Sequence, residues 1–137
     1  MPSIKHSEKD FVVKPSSIPN AGNGLFAISK IQPGDIVGFY TGIYVDDETA
    51  DKDHVDSDYV LKIADNCNVV GEGPDASYTR FINHCPYPNT QFVIDEEKEL
   101  AWVESLELIE KGEELFIDYG EEYWEQKEEN DRIDANV

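Results

Sequence analysis

Short apolar runs, each bounded by turn-forming residues, make up most of the chain. Residues 11–13 read FVV and are followed by Pro15, and the sequence PNAGNG at 19–24 is dense in turn residues. A second apolar run begins at Leu25, and residues 36–45 are rich in β-branched and aromatic side chains. Such residues favour strands, so we expect a strand at 11–13, another from Leu25 and one or two strands over 36–45.

The second half of the chain continues this pattern. Its apolar runs predict five further strands, at 59–63, 69–70, 91–94, 100–103 and 114–119. The third and fourth of these flank the sequence DEEKE, so we expect them to form a hairpin. Many short strands with Gly and Pro between them indicate a mainly β fold, and neither a repeat nor a second domain is apparent.

Two stretches are strongly acidic and lack such apolar runs. Residues 46–58 contain seven acids and one lysine, which predicts a solvated loop or a short helix. Residues 121–137 contain seven acids and two bases around Tyr123 and Trp124. We expect a helix there that ends in a frayed tail.

The sequence RFINHCPYPN at 80–89 fits neither pattern. Pro86 and Pro88 exclude it from a helix interior and from a central strand. An apolar pair leads into Asn83 and His84, and the prolines then restrict the backbone behind them. Taken alone, the segment describes a turn with a capping asparagine and a packed histidine, and a site for chemistry is the alternative.

The length of 137 residues suits one domain with a hydrophobic core. No apolar run approaches the roughly 20 residues of a membrane-spanning helix, and the first eight residues are too polar for a signal peptide. The two cysteines, Cys67 and Cys85, are too few for a disulfide framework or for a zinc site of cysteines alone. We therefore expect an intracellular protein without a metal site.

Charge is the strongest property of the composition. Thirty acidic and eleven basic residues give a formal net charge of −19. Such a surface repels nucleic acid and anionic membranes, so we expect neither as a partner, and it attracts cationic partners through interactions that salt weakens. Solubility or a high-salt habitat explains the charge equally well.

Four motifs follow one another along the chain: AGNGLFA at 21–27, FYTG at 39–42, RFINHCPYPN at 80–89 and GEELFIDYG at 112–120. In this order and spacing they resemble the SET domain, the family of lysine methyltransferases that use S-adenosylmethionine. The resemblance extends from about residue 11 to residue 124, and the last two motifs carry most of its specificity. The sequence departs from the family in having Cys85-Pro86 where a Ser-Cys pair is usual, and in lacking zinc-binding cysteines beside the domain.

The resemblance implies a β-clip fold of several short sheets. We expect a single, nearly minimal SET domain across residues 1–137, with a core at about 11–124 and an acidic tail at 125–137. In the family, the segment that matches 80–89 passes through a loop formed by the C-terminal motif. This pseudoknot-like crossing is followed by a short C-terminal helix.

The resemblance also implies a binding site for S-adenosylmethionine and its product S-adenosylhomocysteine. Glycine lets the backbone approach the methionine part closely, while the Asn-His pair would anchor the amino group and the adenine side. An aromatic residue after the last motif would stack on the adenine ring, or would serve as a hydrophobic plug for the C-terminal helix. These residues are Ala21, Gly22, Asn23, Gly24, Asn83, His84 and Trp124.

Two tyrosines are the implied catalytic residues. Tyr119 matches the motif tyrosine whose hydroxyl lies near the sulfonium and the lysine nitrogen, and Tyr40 matches a tyrosine of the lysine channel. Tyr59, Phe92 and Ile117 are further channel residues, and ordinary buried tyrosines are the alternative for Tyr40 and Tyr59. Neither Phe92 nor Ile117 offers a phenol that would hold a water molecule, so we expect addition of more than one methyl group.

The implied function is methyl transfer from S-adenosylmethionine to the side-chain amine of a lysine. A basic, lysine-rich partner suits the acidic surface, and a histone tail is the favoured target. The nucleus is the favoured location, and the cytoplasm is the alternative. A non-histone target and an inactive SET module that only binds basic partners are the alternatives. The habits of the family also allow a homodimer that completes the peptide groove.

Overall fold

The computed structural model of the chain describes residues 6–57 and 59–118. This part of the chain is mainly β, with ten short strands and one α-helix. The strands are β1 (Phe11–Pro15), β2 (Asn23–Ala27), β3 (Ile36–Phe39), β4 (Ile43–Val45), β5 (Val60–Ala64), β6 (Cys67–Val70), β7 (Asn83–His84), β8 (Thr90–Asp95), β9 (Leu100–Ser105) and β10 (Phe116–Ile117). Helix α1 (Asp47–Asp53) lies between β4 and β5, and 3-10 helices cover Glu8–Asp10 and Tyr78–Phe81.

The strands form three small sheets, as expected for the predicted fold class. β1 and β2 pair as an antiparallel ribbon, and β4, β6 and β5 form a three-stranded antiparallel sheet. The largest sheet has the strand order β3-β9-β8-β10-β7. Within it β8 and β9 form the predicted hairpin, whereas β10 is parallel to both of its neighbours.

Two clusters of buried side chains hold the sheets together. The first joins the ribbon to the five-stranded sheet and includes Leu25 and Ile117. The second lies beneath the three-stranded sheet and includes Tyr40 and Val69. Phe92 packs against both clusters, so its ring lies where the two parts of the core meet.

The motif at 80–89 wraps around β10. Since β10 pairs with β7 on one side and β8 on the other, the connection between those two strands crosses it. The buried side chain of Asn89 pairs with the backbone there: the Phe116 N–H donates to Asn89 Oδ1 at 2.8 Å, and Asn89 Nδ2 donates to the Glu114 carbonyl at 2.9 Å. The C-terminal helix predicted to follow the crossing lies outside the described residues.

Helix α1 resolves the choice left open for the acidic segment 46–58 in favour of a short helix. The helix begins after Asp46, whose side chain accepts a hydrogen bond from the Thr49 N–H at 2.7 Å and so forms an N-cap. Asp47 in the first turn accepts from Asn68 Nδ2 at 2.8 Å. This contact fastens the helix to β6 of the three-stranded sheet.

The predicted strands are confirmed in position but not always in length. The run over 36–45 divides into β3 and β4, the second of the two alternatives. The strand predicted over 114–119 is shorter, since Glu114 instead forms an antiparallel bridge with Phe26 of the ribbon. In the portion of the chain that is described, no helix is both long and apolar enough to cross a bilayer.

Candidate functional site

The turn between β1 and β2 carries the first motif. The Ser16 N–H donates to the Gly22 carbonyl at 2.8 Å, which closes the turn. Gly22 has a φ of 72°, a left-handed conformation that glycine adopts without steric cost. Ala21, Gly22 and Asn23, predicted to bind the cofactor, therefore lie at the end of this turn, with Gly22 and Asn23 exposed.

Gly24 needs to be glycine because the space beside it is occupied. A Cβ atom built at this buried position would lie 2.3 Å from Glu114 Oε2 and 3.3 Å from Asn83 Nδ2. A side chain here would therefore displace the carboxylate, the amide or both. The two glycines of the motif thus serve different ends, one for backbone conformation and one for close packing.

Asn83 on β7 reaches the same turn. Its Nδ2 donates to the Asn23 carbonyl at 2.9 Å and, over a longer 3.5 Å, to Glu114 Oε2. Both of these neighbours are acceptors, and a primary amide has only two N–H groups. Within residues 6–57 and 59–118 the amide oxygen of Asn83 has no hydrogen-bond partner, so it can accept a hydrogen bond from a ligand.

The carboxylate of Glu114 lies at the base of the turn, and the residue is only 7% exposed. Its Oε1 accepts from the Ser17 N–H at 2.8 Å and from the Ser17 hydroxyl at 2.7 Å. Its Oε2 accepts from the Ser16 hydroxyl at 2.7 Å, in addition to the longer contact with Asn83. A buried charge requires such partners, and here they come from two separate segments of the chain.

Two opposing effects act on the pKa of Glu114. Burial raises the pKa of the carboxyl, but the hydrogen bonds from Ser16, Ser17 and Asn83 outweigh burial and hold the pKa below the ordinary value of a glutamate. Glu114 is therefore ionised at neutral pH. Its negative charge lies beside the turn predicted to hold the cofactor.

His84 and Ile117 face each other across β7 and β10. The His84 side chain is 8% exposed, with Nε2 at 3.9 Å from Asp118 Oδ1. Ile117 is buried in the first core cluster. The cofactor role of His84 and the channel role of Ile117 stay predictions.

Tyr40 is buried directly after β3. Its hydroxyl donates to the Tyr59 carbonyl at 2.5 Å, and a Cβ atom at Gly71 would lie 2.7 Å from that hydroxyl. The contact uses the backbone of Tyr59, not its ring. The structure therefore brings these two predicted channel residues together, while their roles stay predictions.

Phe92 on β8 completes an aromatic group around Tyr40. The two rings meet edge to face, with centroids 5.5 Å apart and planes at 88°, a favourable arrangement for aromatic pairs. Phe39 instead makes an edge contact with Trp102, with centroids 6.0 Å apart. The rings of Phe39 and Tyr40, which are neighbours in the second motif, therefore pack against different aromatic partners.

The aromatic group and the glycine turn are linked through β10. β7 carries Asn83, β8 carries Phe92, and β10 is the only strand between them in the described sheet order. Adjacent strands lie about 4.8 Å apart, so the backbones of β7 and β8 are separated by roughly 10 Å. Asn83, predicted to bind the cofactor, and Phe92, predicted to line the lysine channel, therefore lie on neighbouring parts of one sheet.

Two of the predicted site residues, Tyr119 and Trp124, lie outside the described residues. The predicted catalytic hydroxyl and the predicted adenine-stacking ring therefore stay predictions. Within residues 6–57 and 59–118, His, Cys, Asp and Glu side chains form no group of three that could hold a metal ion.

Sequence reasoning missed Ser16, Ser17 and Glu114. Glu114 follows another glutamate in an acidic chain, so nothing in the composition distinguishes it from a surface residue. One signal was present: residues 115–117 form a continuous apolar run, which is typical of a strand that is covered on both faces. The two serines lie at the start of a turn, where serine is common for reasons unrelated to a ligand.

Comparison with known families identifies a match over most of the chain. The profile described as the SET domain matches residues 22–120. Among solved structures, a chain of the "Crystal structure of an active polycomb repressive complex 2 in the basal state" superposes with a TM-score of 0.68 and 28% sequence identity. That likeness covers 81% of this chain and 15% of the other.

Similar curated proteins are histone-lysine N-methyltransferases. "Histone-lysine N-methyltransferase EHMT1" of Homo sapiens is 34% identical over 116 residues, which cover 77% of this chain and 9% of that protein. "Histone-lysine N-methyltransferase SETD7" of Halocynthia roretzi is 25% identical over 122 residues, which cover 80% of this chain and 31% of that protein. The chain thus spans less than a third of the length of these relatives.

Proposed function

The chain belongs to the SET-domain family, and we propose that it transfers methyl groups from S-adenosylmethionine to the side-chain amine of lysine in a basic protein. The observation that carries the proposal is the meeting of Asn83, the glycine turn and Glu114 on one side of β10, with the aromatic group around Tyr40 on the other side.

The glycine turn fits the amino-acid part of the cofactor. Gly22 has open space beside it and leaves the backbone open to close approach, and the amide oxygen of Asn83 is an acceptor suited to an ammonium group. The ionised carboxylate of Glu114 adds a favourable field for the same positive charge. When bound, the cofactor would supply an electrophilic sulfonium methyl, and the residues of the turn would orient it.

The aromatic group around Tyr40 suits the lysine. A lysine amine must lose its proton before it can attack a methyl group, and its ordinary pKa is about 10.4. Tyr40 is buried and Phe92 is partly buried, so their rings offer apolar surface that excludes water, and desolvation disfavours the charged form of an amine. The acidic surface would attract the protonated lysine from solution, and the apolar channel would then lower its pKa.

Tyr119 is the proposed catalytic hydroxyl. In the sequence it follows Asp118, the last described residue, and it lies two positions after the end of β10. A phenol at this place would accept a hydrogen bond from the lysine amine and align it with the methyl group. Removing one such preorganised group typically lowers the rate by about 10²–10³.

Histone tails are the proposed targets, in the nucleus. The support is that similar proteins are histone-lysine N-methyltransferases, together with the net charge of −19. Lysine-rich tails carry the complementary charge, and electrostatic complementarity favours rapid and selective encounter. A non-histone basic protein would meet the same requirements, so the test includes both.

The test is transfer of a labelled methyl group. Purified protein is incubated with labelled S-adenosylmethionine and, in separate reactions, with core histones and with a cell lysate, and the Tyr119→Phe variant serves as the matched control. Label on histone lysine, reduced by about 10²–10³ in the variant, is the expected result. Label only on a lysate protein would replace the histone target by another one, and no label anywhere would overturn the proposal.

A further inference from the structure

Glu114 is a buried charge that the motifs did not assign to any role. It comes from the strand-forming segment before β10, yet its carboxylate contacts the turn between β1 and β2 and the side chain of Asn83 on β7. The segment itself is held by backbone bonds: the Leu115 N–H donates to the Leu25 carbonyl at 2.8 Å, and the Ala27 N–H donates to the Glu113 carbonyl at 2.9 Å. The position of the carboxylate is therefore fixed by the ribbon.

We propose that Glu114 is a positioning residue for the cofactor, which orients the amide of Asn83 so that its oxygen receives the ammonium group of S-adenosylmethionine. The inference rests on the proposed function, because it concerns the same binding site. Asn83 would contact the amino-acid part of the cofactor, and Glu114 would hold the Asn83 amide in place.

The hydrogen-bond polarity around Asn83 carries the argument. The Asn23 carbonyl and Glu114 Oε2 both accept from Asn83 Nδ2, at 2.9 Å and 3.5 Å. If the amide were reversed, its oxygen would face two acceptors, and no proton would lie between them. The carboxylate therefore penalises the wrong orientation of the amide, even though its own contact with Nδ2 is long.

The serines give Glu114 its fixed direction. The Ser17 N–H is an obligate donor to Oε1, at 2.8 Å, so this oxygen cannot be replaced by an N–H group. The other oxygen, Oε2, is then the one that faces Asn83 and the space beside Gly24. The site distinguishes a carboxylate from an amide of the same shape.

The decisive substitution is Glu114→Gln, which keeps the shape and changes the polarity. With its oxygen held by the Ser17 N–H, the glutamine NH₂ would face the NH₂ of Asn83. Asn83 cannot reverse its amide, because the Asn23 carbonyl needs a donor. The expected result is a displaced amide and a weaker hold on the ammonium group of the ligand.

The experiment compares two ligands by calorimetry, S-adenosylhomocysteine and 5′-methylthioadenosine, which lacks the amino-acid part. Glu114→Gln should weaken S-adenosylhomocysteine about tenfold to a hundredfold, the range for a hydrogen bond to a charged group. Its affinity for 5′-methylthioadenosine should match that of the wild type. Glu113→Gln removes the same charge from the neighbouring exposed residue and should leave both affinities unchanged.

If Glu114 had a merely structural role, Glu114→Gln would lower the affinity for both ligands alike, and that result would overturn the inference. Equal affinity of the wild type and Glu114→Gln for S-adenosylhomocysteine would also overturn it. Ser17→Ala, which removes one donor at an exposed position, provides a second variant should Glu114→Gln unfold. It should weaken S-adenosylhomocysteine selectively but less, and an equal loss for both ligands would again contradict the inference. Failure of the wild-type protein to bind S-adenosylhomocysteine at all would overturn the proposed function itself.

Discussion

At the scale of single residues, the site depends on whether polar groups keep their partners. Asn83 was singled out by the sequence because it precedes a rigid proline-containing segment. The contact between its amide and the Asn23 carbonyl was not predictable, because the two residues lie 60 positions apart. Glu114 was missed for the same reason: its partners Ser16 and Ser17 are almost a hundred positions away, and only the folded ribbon brings them together.

The lowered pKa of Glu114 predicts a dependence of stability on pH. Because the folded-state pKa lies below the ordinary value of about 4.3, the carboxylate stabilises the fold above that pH. The stabilisation is lost as the pH falls through the lowered pKa. Urea unfolding of the wild type and of Glu114→Gln should therefore show a stability difference at pH 7 that shrinks below about pH 4. A difference that stays constant down to pH 3 would contradict this assignment of charge.

At the scale of elements, most strands followed from the apolar pattern, β10 among them, whereas β7 did not. The hairpin of β8 and β9 is marked by two apolar runs around a polar turn, and the structure has it at the expected place. β7 contains two residues, Asn83 and His84, too few for any periodicity. It forms because it pairs with β10, more than 30 positions further along the chain, and such long-range pairing is not encoded in a local pattern.

The crossing around β10 predicts a high cost for replacing Asn89. Asn89→Ala would leave the Phe116 N–H and the Glu114 carbonyl without their partners, at about 1–3 kcal/mol for each buried group left unpaired. Denaturant unfolding should show the loss. Tyr87→Ala, in the same connection but 86% exposed, is the matched control and should change stability little. Equal stability of Asn89→Ala and wild type would mean that the side chain does not hold the crossing.

Helix α1 predicts two distinct outcomes for removal of acidic side chains. Asp46→Ala deletes the N-cap that accepts from the Thr49 N–H and should cost about 1 kcal/mol of stability. Asp51→Asn changes an exposed position within the helix and should have almost no effect. Thermal unfolding of the two variants checks the difference, and equal melting temperatures would argue against a structural role for the cap.

At the scale of the whole molecule, the net charge of −19 predicts that substrate recognition depends on salt. The screening length falls from about 10 Å at 0.1 M to about 3 Å at 1 M ionic strength, so the KM for a basic peptide should rise steeply over that range. Replacing exposed α1 acids with amides, at Glu48, Asp51 and Asp53, should raise the KM at low salt and flatten its rise. A KM independent of salt in the wild type would exclude electrostatic recruitment.

Composition predicts the overall charge of the molecule but not the role of each acidic residue. The charge and the mainly β fold could be predicted from the sequence, and the motifs identified the family. Asp46 and Asp47 could not be separated from the other acids of their segment by sequence, since their roles in the cap and in the contact with Asn68 arise only from the folded arrangement. Acids that hold the fold and acids free to attract a partner look alike along the chain.

The central claim, methyl transfer to lysine, is tested most directly with two basic peptides that differ at one position. One contains a single lysine among arginines, and the other has arginine in its place, so the charge is the same. After incubation with the full chain and S-adenosylmethionine, tandem mass spectrometry locates any added methyl group. The account predicts methylated lysine in the first peptide and an unmodified second peptide. Methylation of the arginine peptide, or of neither peptide while S-adenosylhomocysteine binds, would contradict it.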